Sequence, residues 1–256
     1  MQMCMDGKKL LLTLVVCSAA ACAEDPGDRP ADGALAVDEQ SIIVGTTDTG
    51  DPSVVAVFVH APGATSGSLC TGTVIGPHTV LTAAHCVSPA IVGAGQVFEL
   101  LSGTTITLPG IVASSTTFDP AFDINNLFAG HDIGIIHTAG ALPFAALAIA
   151  PVALALPVRL VGYGADTHAN TGVGTKRQVT TNIVAASGVL IQDGNSNMQT
   201  CHGDSGGPAF QTVGSTQMVV GVTSFGQDQS PTSVCFNGGF HVRVDSELGF
   251  ITSNTN

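Results

Sequence analysis

One serine of this chain lies in a glycine-rich segment whose residue types suit nucleophilic catalysis. Ser205 follows Asp204 and precedes Gly206 and Gly207 within residues 201–208. Glycines allow the backbone to turn sharply and to approach a ligand closely, so the serine amide and a neighbouring amide could stabilise an oxyanion together. A glycine-rich turn with a capping Ser or Asp would have a similar composition. Because a serine alone is a weak nucleophile, catalysis also requires a histidine base and an orienting carboxylate.

A histidine suited to act as that base lies in a segment that contains two cysteines. His85 directly precedes Cys86, and Cys70 lies upstream of both. Taken alone, this segment could be a disulfide corner with an isolated histidine. Together with residues 201–208, it resembles the two main motifs of chymotrypsin-like (trypsin-family) serine peptidases, in a bacterial-type exported member. The resemblance implies that His85 is the general base, that Ser205 is the nucleophile, and that a Cys70–Cys86 disulfide pins the loop of the base.

The third catalytic group must be a buried carboxylate that orients the imidazole and stabilises its cation. Asp119, Asp123 and Asp132 lie between the histidine and serine motifs. We expect Asp119 and Asp123 to be solvated turn residues, because their loop is rich in Phe, Asn and Pro. Asp132 precedes the apolar residues 133–136, which indicate a buried strand, and the resemblance places the acid of the family at such a position. Asp132 is therefore the predicted acid. With this choice, the order His, Asp, Ser is that of the chymotrypsin family.

The resemblance also implies an oxyanion hole and a substrate cleft. The amides of Gly203 and Ser205 would form the oxyanion hole, and a Cys201–Cys235 disulfide would brace the specificity pocket. The residues expected to contact substrate are Gln199, Thr200, Ser224, Phe225, Gly226 and Gly239. Ser224 would in addition hydrogen-bond Asp132. Since Gln199 at the pocket base is neutral, we predict a preference for uncharged polar or medium-to-large side chains, with acidic ones a minor option, and not for Lys or Arg.

The segment that begins at Ile43 resembles the new N-terminus that family members expose on activation. Its ammonium would pair with Asp204, whose buried charge would otherwise be costly. No lysine or arginine lies between Arg29 and Arg159, so a trypsin-like activator has no cleavage site here. We therefore expect another protease to cleave near residues 41–43, with the register at this point left open.

The composition favours a β-rich fold. Beyond residue 42, β-branched runs such as residues 53–60 alternate at short intervals with Gly and Pro, a pattern typical of sandwiches and barrels. The alanine-rich residues 139–156 contain prolines, which indicate an extended connector and not a helix. By the resemblance, the fold class is all-β, with two six-stranded antiparallel Greek-key barrels, the active site between them and a short C-terminal helix at residues 246–251.

The N-terminal region predicts export. Residues 1–22 contain paired lysines, a short apolar run and small residues before Cys22, which is typical of a signal peptide and too short for a membrane span. Two alternatives stay open for Cys22, lipidation as in bacterial lipoproteins and simple cleavage of the signal. The acidic residues 23–42 are expected to be a pro-segment or tether, and residues 43–256 the peptidase domain.

Composition also bounds the partners. The net charge of −12 argues against nucleic acid, whose backbone would repel such a chain. Five cysteines lie outside the signal core, enough for two disulfides and one unpaired cysteine. No histidine spacing of a metalloprotease is present, so we expect no cofactor and no metal. We expect a monomer, extracellular or periplasmic, that acts on protein or peptide substrates, has an activating protease as partner, and contacts a membrane only through a lipid on Cys22. The alternative is a non-catalytic or latent exported binding protein that keeps the fold.

Overall fold

Short strands that are rich in β-branched residues make up most of the ordered structure. A computed structural model describes residues 42–43, 45–167, 171–194, 198–226, 235 and 238–256. The strands are β1 (Thr46–Thr47), β2 (Val54–His60), β3 (Ser68–Gly76), β4 (Thr79–Thr82), β5 (Val97–Leu101), β6 (Ile111–Phe118), β7 (Gly134–Thr138), β8 (Ala148–Ile149), β9 (Val158–Gly162), β10 (Arg177–Thr181), β11 (Ile183–Ala186), β12 (Leu190–Asp193), β13 (Pro208–Val213), β14 (Thr216–Gly226) and β15 (Gly239–Arg243). The helices of these residues are α1 (Pro89–Val92) and α2 (Leu248–Ser253), with 3-10 turns at Ala84–Cys86 and Leu127–Ala129.

The strands from β2 to β7 close into a barrel. Their order around the barrel is β2-β3-β4-β7-β6-β5, and every neighbouring pair is antiparallel. Branched apolar side chains such as Val57, Val74, Leu81 and Ile135 are fully buried in its interior. This burial explains why the β-branched runs of the sequence sit here, since such residues pack well on a pleated, buried surface.

The later strands form a second, nine-stranded sheet. Its order is β1-β10-β9-β13-β14-β15-β12-β11, and β8 pairs with β14 in parallel. The expected fold class is confirmed, because the described chain is nearly all-β with one closed six-stranded barrel, a second curved sheet and a short C-terminal helix. The second sheet is an open half-barrel, and it contains more than the expected six strands because the short strands β1, β8 and β11 join it.

The connector and the C-terminal end agree with the sequence expectation. Within residues 139–156 the only regular element is the two-residue strand β8, so the prolines keep this alanine-rich segment from forming a helix. Helix α2 is the last regular element. Beyond it, Asn256 contacts the barrel, where its backbone N donates to Thr79 Oγ1 at 3.1 Å. Neither helix in the described part of the chain has the length and apolar character needed to cross a membrane.

The start of the described chain is packed into the second sheet. Ile42 is 1 % exposed and belongs to an apolar cluster with Val158 and Leu160. Residue 42, the predicted last residue of the pro-segment, is therefore packed against the second sheet in the uncleaved chain. The signal peptide, Cys22 and residues 23–41 lie outside the described residues.

Candidate active site

Strand pairing in the closed barrel brings the predicted base and acid together. His85 lies in the 3-10 turn that follows β4, and Asp132 lies two residues before β7. These strands pair in antiparallel register with Thr82 opposite Gly134, so the end of one strand meets the start of the other. The Cys70–Cys86 disulfide ties the turn to β3. The base is therefore carried by a short, cross-linked turn on a rigid barrel.

The carboxylate of Asp132 is completely buried and holds His85 by two contacts. Its Oδ1 accepts a hydrogen bond from the backbone N of His85 at 2.9 Å, and its Oδ2 lies 2.7 Å from His85 Nδ1. Ser224 Oγ donates to the same Oδ2 at 2.5 Å. With Nδ1 directed at the acid, Nε2 is the ring nitrogen left to accept a proton. The side chain of His85 stays 19 % exposed, which is open enough for a substrate to approach.

Thr71 of β3 holds the loop that carries Ser205. Its backbone N donates to Ser205 O at 2.8 Å, and its hydroxyl donates to Gly203 O at the same distance. The same hydroxyl accepts from Tyr163 N at 3.1 Å. Sequence reasoning did not single out Thr71, although it directly follows Cys70. The serine loop is thus anchored to the barrel that carries the other two predicted groups.

Glycine is required where this loop meets β4. Gly206 has a φ of +82°, and a Cβ on it would lie 2.1 Å from Thr82 Oγ1 and 2.4 Å from Thr71 O. The loop thus packs directly on the end of the strand that leads to His85. No hydrogen bond among the described residues joins Ser205 Oγ to His85. Such contacts are often long without substrate and tighten when it binds.

The amides of the serine loop divide into two sets. Those of Asp204, Gly206 and Gly207 donate to Cys201 O, Thr223 O and Asp204 O at 3.0, 2.7 and 2.8 Å. Those of Gly203 and Ser205 donate no hydrogen bond to any other described residue. Gly203 adopts a φ of +98°, a conformation that glycine reaches without strain. The two amides expected to form the oxyanion hole are therefore among those that donate no hydrogen bond within the described residues.

Asp204 is buried in a space made by two glycines. A Cβ at Gly162 would lie 2.1 Å from Asp204 Oδ1, and one at Gly164 would lie 2.5 Å from the carboxyl carbon. The carboxylate accepts hydrogen bonds from Gly164 N and Cys201 N, both at 2.8 Å. Burial raises the pKa of Asp204 to about 7, although these amide hydrogen bonds act in the opposite direction. The charged form of this group is consequently costly in the intact chain.

Two of the predicted specificity residues, Gln199 and Thr200, are buried next to the start of β15. Gln199 is fully buried, its Oε1 accepts from Gly238 N at 2.6 Å, and its Nε2 has no hydrogen-bond partner among the described residues. A Cβ at Gly239 would lie 2.6 Å from Thr200 Oγ1, so that glycine is enclosed by its neighbours. Gly226 is exposed, and the nearest atom to a Cβ there is 3.9 Å away. The Cys201–Cys235 disulfide lies next to these residues, since Cys201 directly follows Thr200.

A buried contact between a histidine and an aspartate lies near Thr200 and Gly239, and sequence reasoning missed it. His241 Nε2 lies 2.8 Å from Asp193 Oδ1, and both side chains are fully buried. The other ring nitrogen of His241 lies 3.1 Å from Thr223 Oγ1. Across the antiparallel pair of β12 and β15, His241 lies opposite Ile191 and Asp193 lies opposite Gly239, so the two side chains meet diagonally across the strands. Two single residues far apart in sequence gave no motif that could have signalled this contact.

Three aromatic rings meet at the end of β14. Phe225 stacks on Phe240 with ring centroids 4.7 Å apart, and Phe128 contacts both rings edge-on. Phe128 is 62 % exposed, which is unusual for a ring of this size. Phe225 was expected to line the substrate cleft. Phe128 was not predicted, because the loop that carries it has no pattern that fixes its position.

Ile43, the predicted activated N-terminus, is buried next to the specificity residues. It forms an isolated antiparallel bridge with Gln199 and packs against Cys201.

One expectation about the other aspartates is wrong. Asp119 is a buried residue and not a solvated one, because it contacts His131 and Glu247, whereas Asp123 is exposed as expected.

Comparison with known proteins agrees with the observed fold, because one family model matches most of the chain. The model of the trypsin family matches residues 42–251. The chain is 28% identical to alkaline trypsin C of Manduca sexta over 96% of this chain and 100% of that protein. It is 28% identical to brachyurin of Leptuca pugilator over 61% of this chain and 75% of the relative. It is 29% identical to chymotrypsin-like elastase family member 1 of Rattus norvegicus over 61% and 67%. These relatives are animal proteins and give no support to the bacterial-type assignment.

Proposed function

Because the chain belongs to the trypsin family, we propose that it is a serine endopeptidase with Ser205 as nucleophile, His85 as general base and Asp132 as orienting acid. The observation that carries this proposal is the pair of contacts from Asp132 to His85, at 2.9 and 2.7 Å. A buried carboxylate that binds both the backbone and Nδ1 of a histidine fixes the tautomer that a general base needs. The anchoring of the serine loop on Thr71 supports the assignment of the nucleophile.

The proposed reaction has two halves. Ser205 Oγ attacks the carbonyl carbon of the scissile peptide bond while His85 Nε2 takes the hydroxyl proton. The tetrahedral intermediate collapses, the C–N bond breaks, and His85 returns the proton to the leaving amine. A water molecule then attacks the acyl-enzyme with His85 again as base, and the carboxylic acid product leaves with Ser205 restored. Asp132 stays ionised throughout and stabilises the imidazolium.

The unused amides of Gly203 and Ser205 are the proposed donors to the oxyanion of both intermediates. Donors that are already fixed in position stabilise the developing charge without reorganisation. In enzymes of this kind, each such donor contributes about 100- to 1,000-fold to the rate. The hydrogen bond from Thr71 Oγ1 to Gly203 O at 2.8 Å keeps the first of these amides in its orientation.

Peptide hydrolysis by the processed chain tests the proposal. The wild type should hydrolyse a mixed peptide library, whereas Ser205→Ala and His85→Ala should lose at least about 1,000-fold in kcat/KM. Ser114→Ala, on an exposed serine of β6, is the matched control and should retain full activity. Equal activity of wild type and Ser205→Ala would refute the proposal.

We propose a preference for uncharged side chains at the cleaved position. Gln199 is neutral and provides no charge that would pair with Lys or Arg, and its fully buried Nε2 has no hydrogen-bond partner among the described residues. The Asp193–His241 pair near Gly239 adds no unpaired positive charge that would favour acidic residues. In the library, cleavage after uncharged residues should exceed cleavage after Lys or Arg by at least about tenfold, a difference of about 1.4 kcal/mol. Strong cleavage after Lys or Arg contradicts this preference.

Activation is proposed to follow the route that the sequence suggests. A cut near residues 41–43 would free an ammonium at the segment of Ile43, which already lies against Cys201 and Gln199. The Asp204 carboxylate accepts hydrogen bonds from neutral backbone amides, of which one is Cys201 N. An ammonium group nearby would add the positive charge that stabilises the ionised carboxylate. Whether the new end is Ile42 or Ile43 is decided by the mass of the active form. An active form with residues 24–44 intact would refute this route.

Export is proposed from the N-terminal signal and agrees with two disulfides, which form in oxidising compartments. Lipidation of Cys22 and free secretion remain the two alternatives, and the intact mass of the mature protein distinguishes them.

A second candidate function, a latent exported protein with the peptidase fold, is favoured by one observation only. No lysine or arginine lies between Arg29 and Arg159. A chain that stays inactive after limited proteolysis would support this second candidate.

A further inference from the structure

A second cluster of ionisable side chains lies apart from the three predicted catalytic groups. Asp119 directly follows β6, His131 directly precedes Asp132, and Glu247 directly precedes helix α2. Three segments that are distant in sequence thus converge on one point. We call it the Asp119–His131–Glu247 cluster.

The distances within the cluster suit a small metal ion. His131 Nδ1 lies 3.2 Å from Glu247 Oε1 and 3.8 Å from Asp119 Oδ2, and one ligand atom from each residue lies within 4.8 Å of the others. Zinc binds nitrogen and oxygen at about 2.0–2.2 Å in a tetrahedron, which places ligand atoms about 3.3–3.6 Å apart. The observed separations lie close to these edges. Small rotations of the side chains would therefore complete three legs of a tetrahedron.

The charges of the cluster also suit a cation. Asp119 and Glu247 are 8 % and 5 % exposed. None of the ion pairs in the described parts of the chain joins either carboxylate to a lysine or arginine. Two buried acids that share one histidine leave an excess negative charge, which a divalent ion would neutralise.

The backbone holds the three ligands in place. Asp119 N donates to Ile133 O at 3.0 Å, and Ile133 N donates to His131 O at 2.8 Å. Glu247 N donates to Val244 O at 3.3 Å at the end of β15. The side chain of His131 is 35 % exposed, which leaves a path from solvent. A site of this kind needs little rearrangement to accept an ion.

We propose that the Asp119–His131–Glu247 cluster binds a divalent transition-metal ion of the zinc type, with one nitrogen ligand, two carboxylate ligands and a water molecule. The imidazole selects zinc over calcium, which prefers oxygen ligands. The ion joins the barrel to the start of helix α2 and stabilises the fold. It takes no part in peptide hydrolysis, because the Asp132 carboxylate is already engaged by His85 and Ser224. The other candidate group, which includes His85, contains Cys70 and Cys86, and the sulfurs of a disulfide are not thiolate ligands.

Thermal unfolding of the full chain with Ser205→Ala, which prevents self-digestion, tests the proposal. After treatment with a chelator, zinc chloride at about 100 times the dissociation constant should raise the Tm by about 5–10 °C. Titration calorimetry should give one zinc per chain. Calcium chloride should give a smaller shift that does not depend on His131.

Two substitutions in the Ser205→Ala chain locate the ion. His131→Asn, chosen because Asn tolerates the φ of +65°, and Glu247→Gln should each remove most of the zinc shift. His60→Asn is the matched control, since His60 lies 3.2 Å from a single glutamate, Glu99, with no second acid in the group. The control should keep the full shift. The proposal is wrong if zinc does not raise the Tm of the Ser205→Ala chain, or if His131→Asn and Glu247→Gln show the same Tm shift as that parent chain. If His131→Asn does not fold, the result for Glu247→Gln decides.

Discussion

The buried carboxylate of Asp204 should make the stability of the uncleaved chain depend on pH. Burial raises the pKa of Asp204 from 3.8 to about 7 in the folded chain. A raised folded-state pKa means that the folded protein binds the proton more tightly than the unfolded one. The stabilisation from this proton is therefore complete below pH 3.8 and is lost as the pH rises through about 7.

The size of the effect follows from the two pKa values. They differ by about 3 pKa units, and each unit corresponds to about 1.36 kcal/mol, which gives about 4 kcal/mol. The unfolding free energy of the intact chain should fall by up to this amount between about pH 4 and pH 8 on account of Asp204. Asp204→Asn removes the titrating group and should remove this part of the pH dependence. One of the two amide donors then faces the Asn side-chain NH₂, but that cost does not vary with pH.

Urea unfolding, followed by circular dichroism because the chain has no Trp and one Tyr, measures the effect. The intact Ser205→Ala chain and the same chain with Asp204→Asn are compared at several pH values. Asp123→Asn, at an exposed aspartate, is the control and should keep the profile of the parent. If the parent and Asp204→Asn have the same pH profile, the reasoning about a buried, unpaired Asp204 is wrong. Cleavage near residues 41–43 should also flatten the profile, because an ammonium would lower the pKa of Asp204 again.

Three further substitutions test the contacts that position the site. Gly164→Ala places a Cβ 2.5 Å from the carboxyl carbon of Asp204 and should abolish activity in the peptide assay, whereas Gly140→Ala, with no atom within 4 Å, should not change it. Ser224→Ala removes the 2.5 Å hydrogen bond to Asp132, the proposed orienting acid, and should lower kcat by about tenfold to 100-fold; an unchanged kcat would contradict the role given to Ser224. Thr71→Val leaves Gly203 O without its donor and should lower the unfolding free energy by about 1–3 kcal/mol in urea titrations, and no loss would show that the anchor is not needed.

The sequence predicted those parts of the molecule that local patterns encode. The β-branched runs and the spacing of Gly and Pro predicted a sandwich or barrel, and the resemblance of two short motifs to those of chymotrypsin-like peptidases singled out His85 and Ser205. The apolar residues after Asp132 predicted a buried acid before a strand, and the acid is buried there. These features depend on neighbours in the chain, so they can be inferred from one sequence.

Contacts between distant segments were not predictable in this way. The tie from Thr71 to the serine loop, the Asp193–His241 pair and the contact of Asp119 with Glu247 each depend on how separate strands meet. Asp119 shows the reason most clearly. Its surroundings in sequence are those of a turn, but strand register and helix α2 bury it. The number of strands in the second sheet also exceeded the expectation, because strands of two to four residues, such as β1, β8 and β11, carry too little pattern to be recognised.

The central claim is that Ser205 is an activated nucleophile, and covalent labelling tests it directly. A fluorophosphonate probe transfers its phosphonyl group to an activated serine with loss of fluoride, and mass spectrometry of the intact chain and its peptides locates the adduct. The processed wild type should carry one phosphonyl group on Ser205, and Ser205→Ala should carry none. A processed wild type that never labels, or a Ser205→Ala chain that labels equally, would contradict the account.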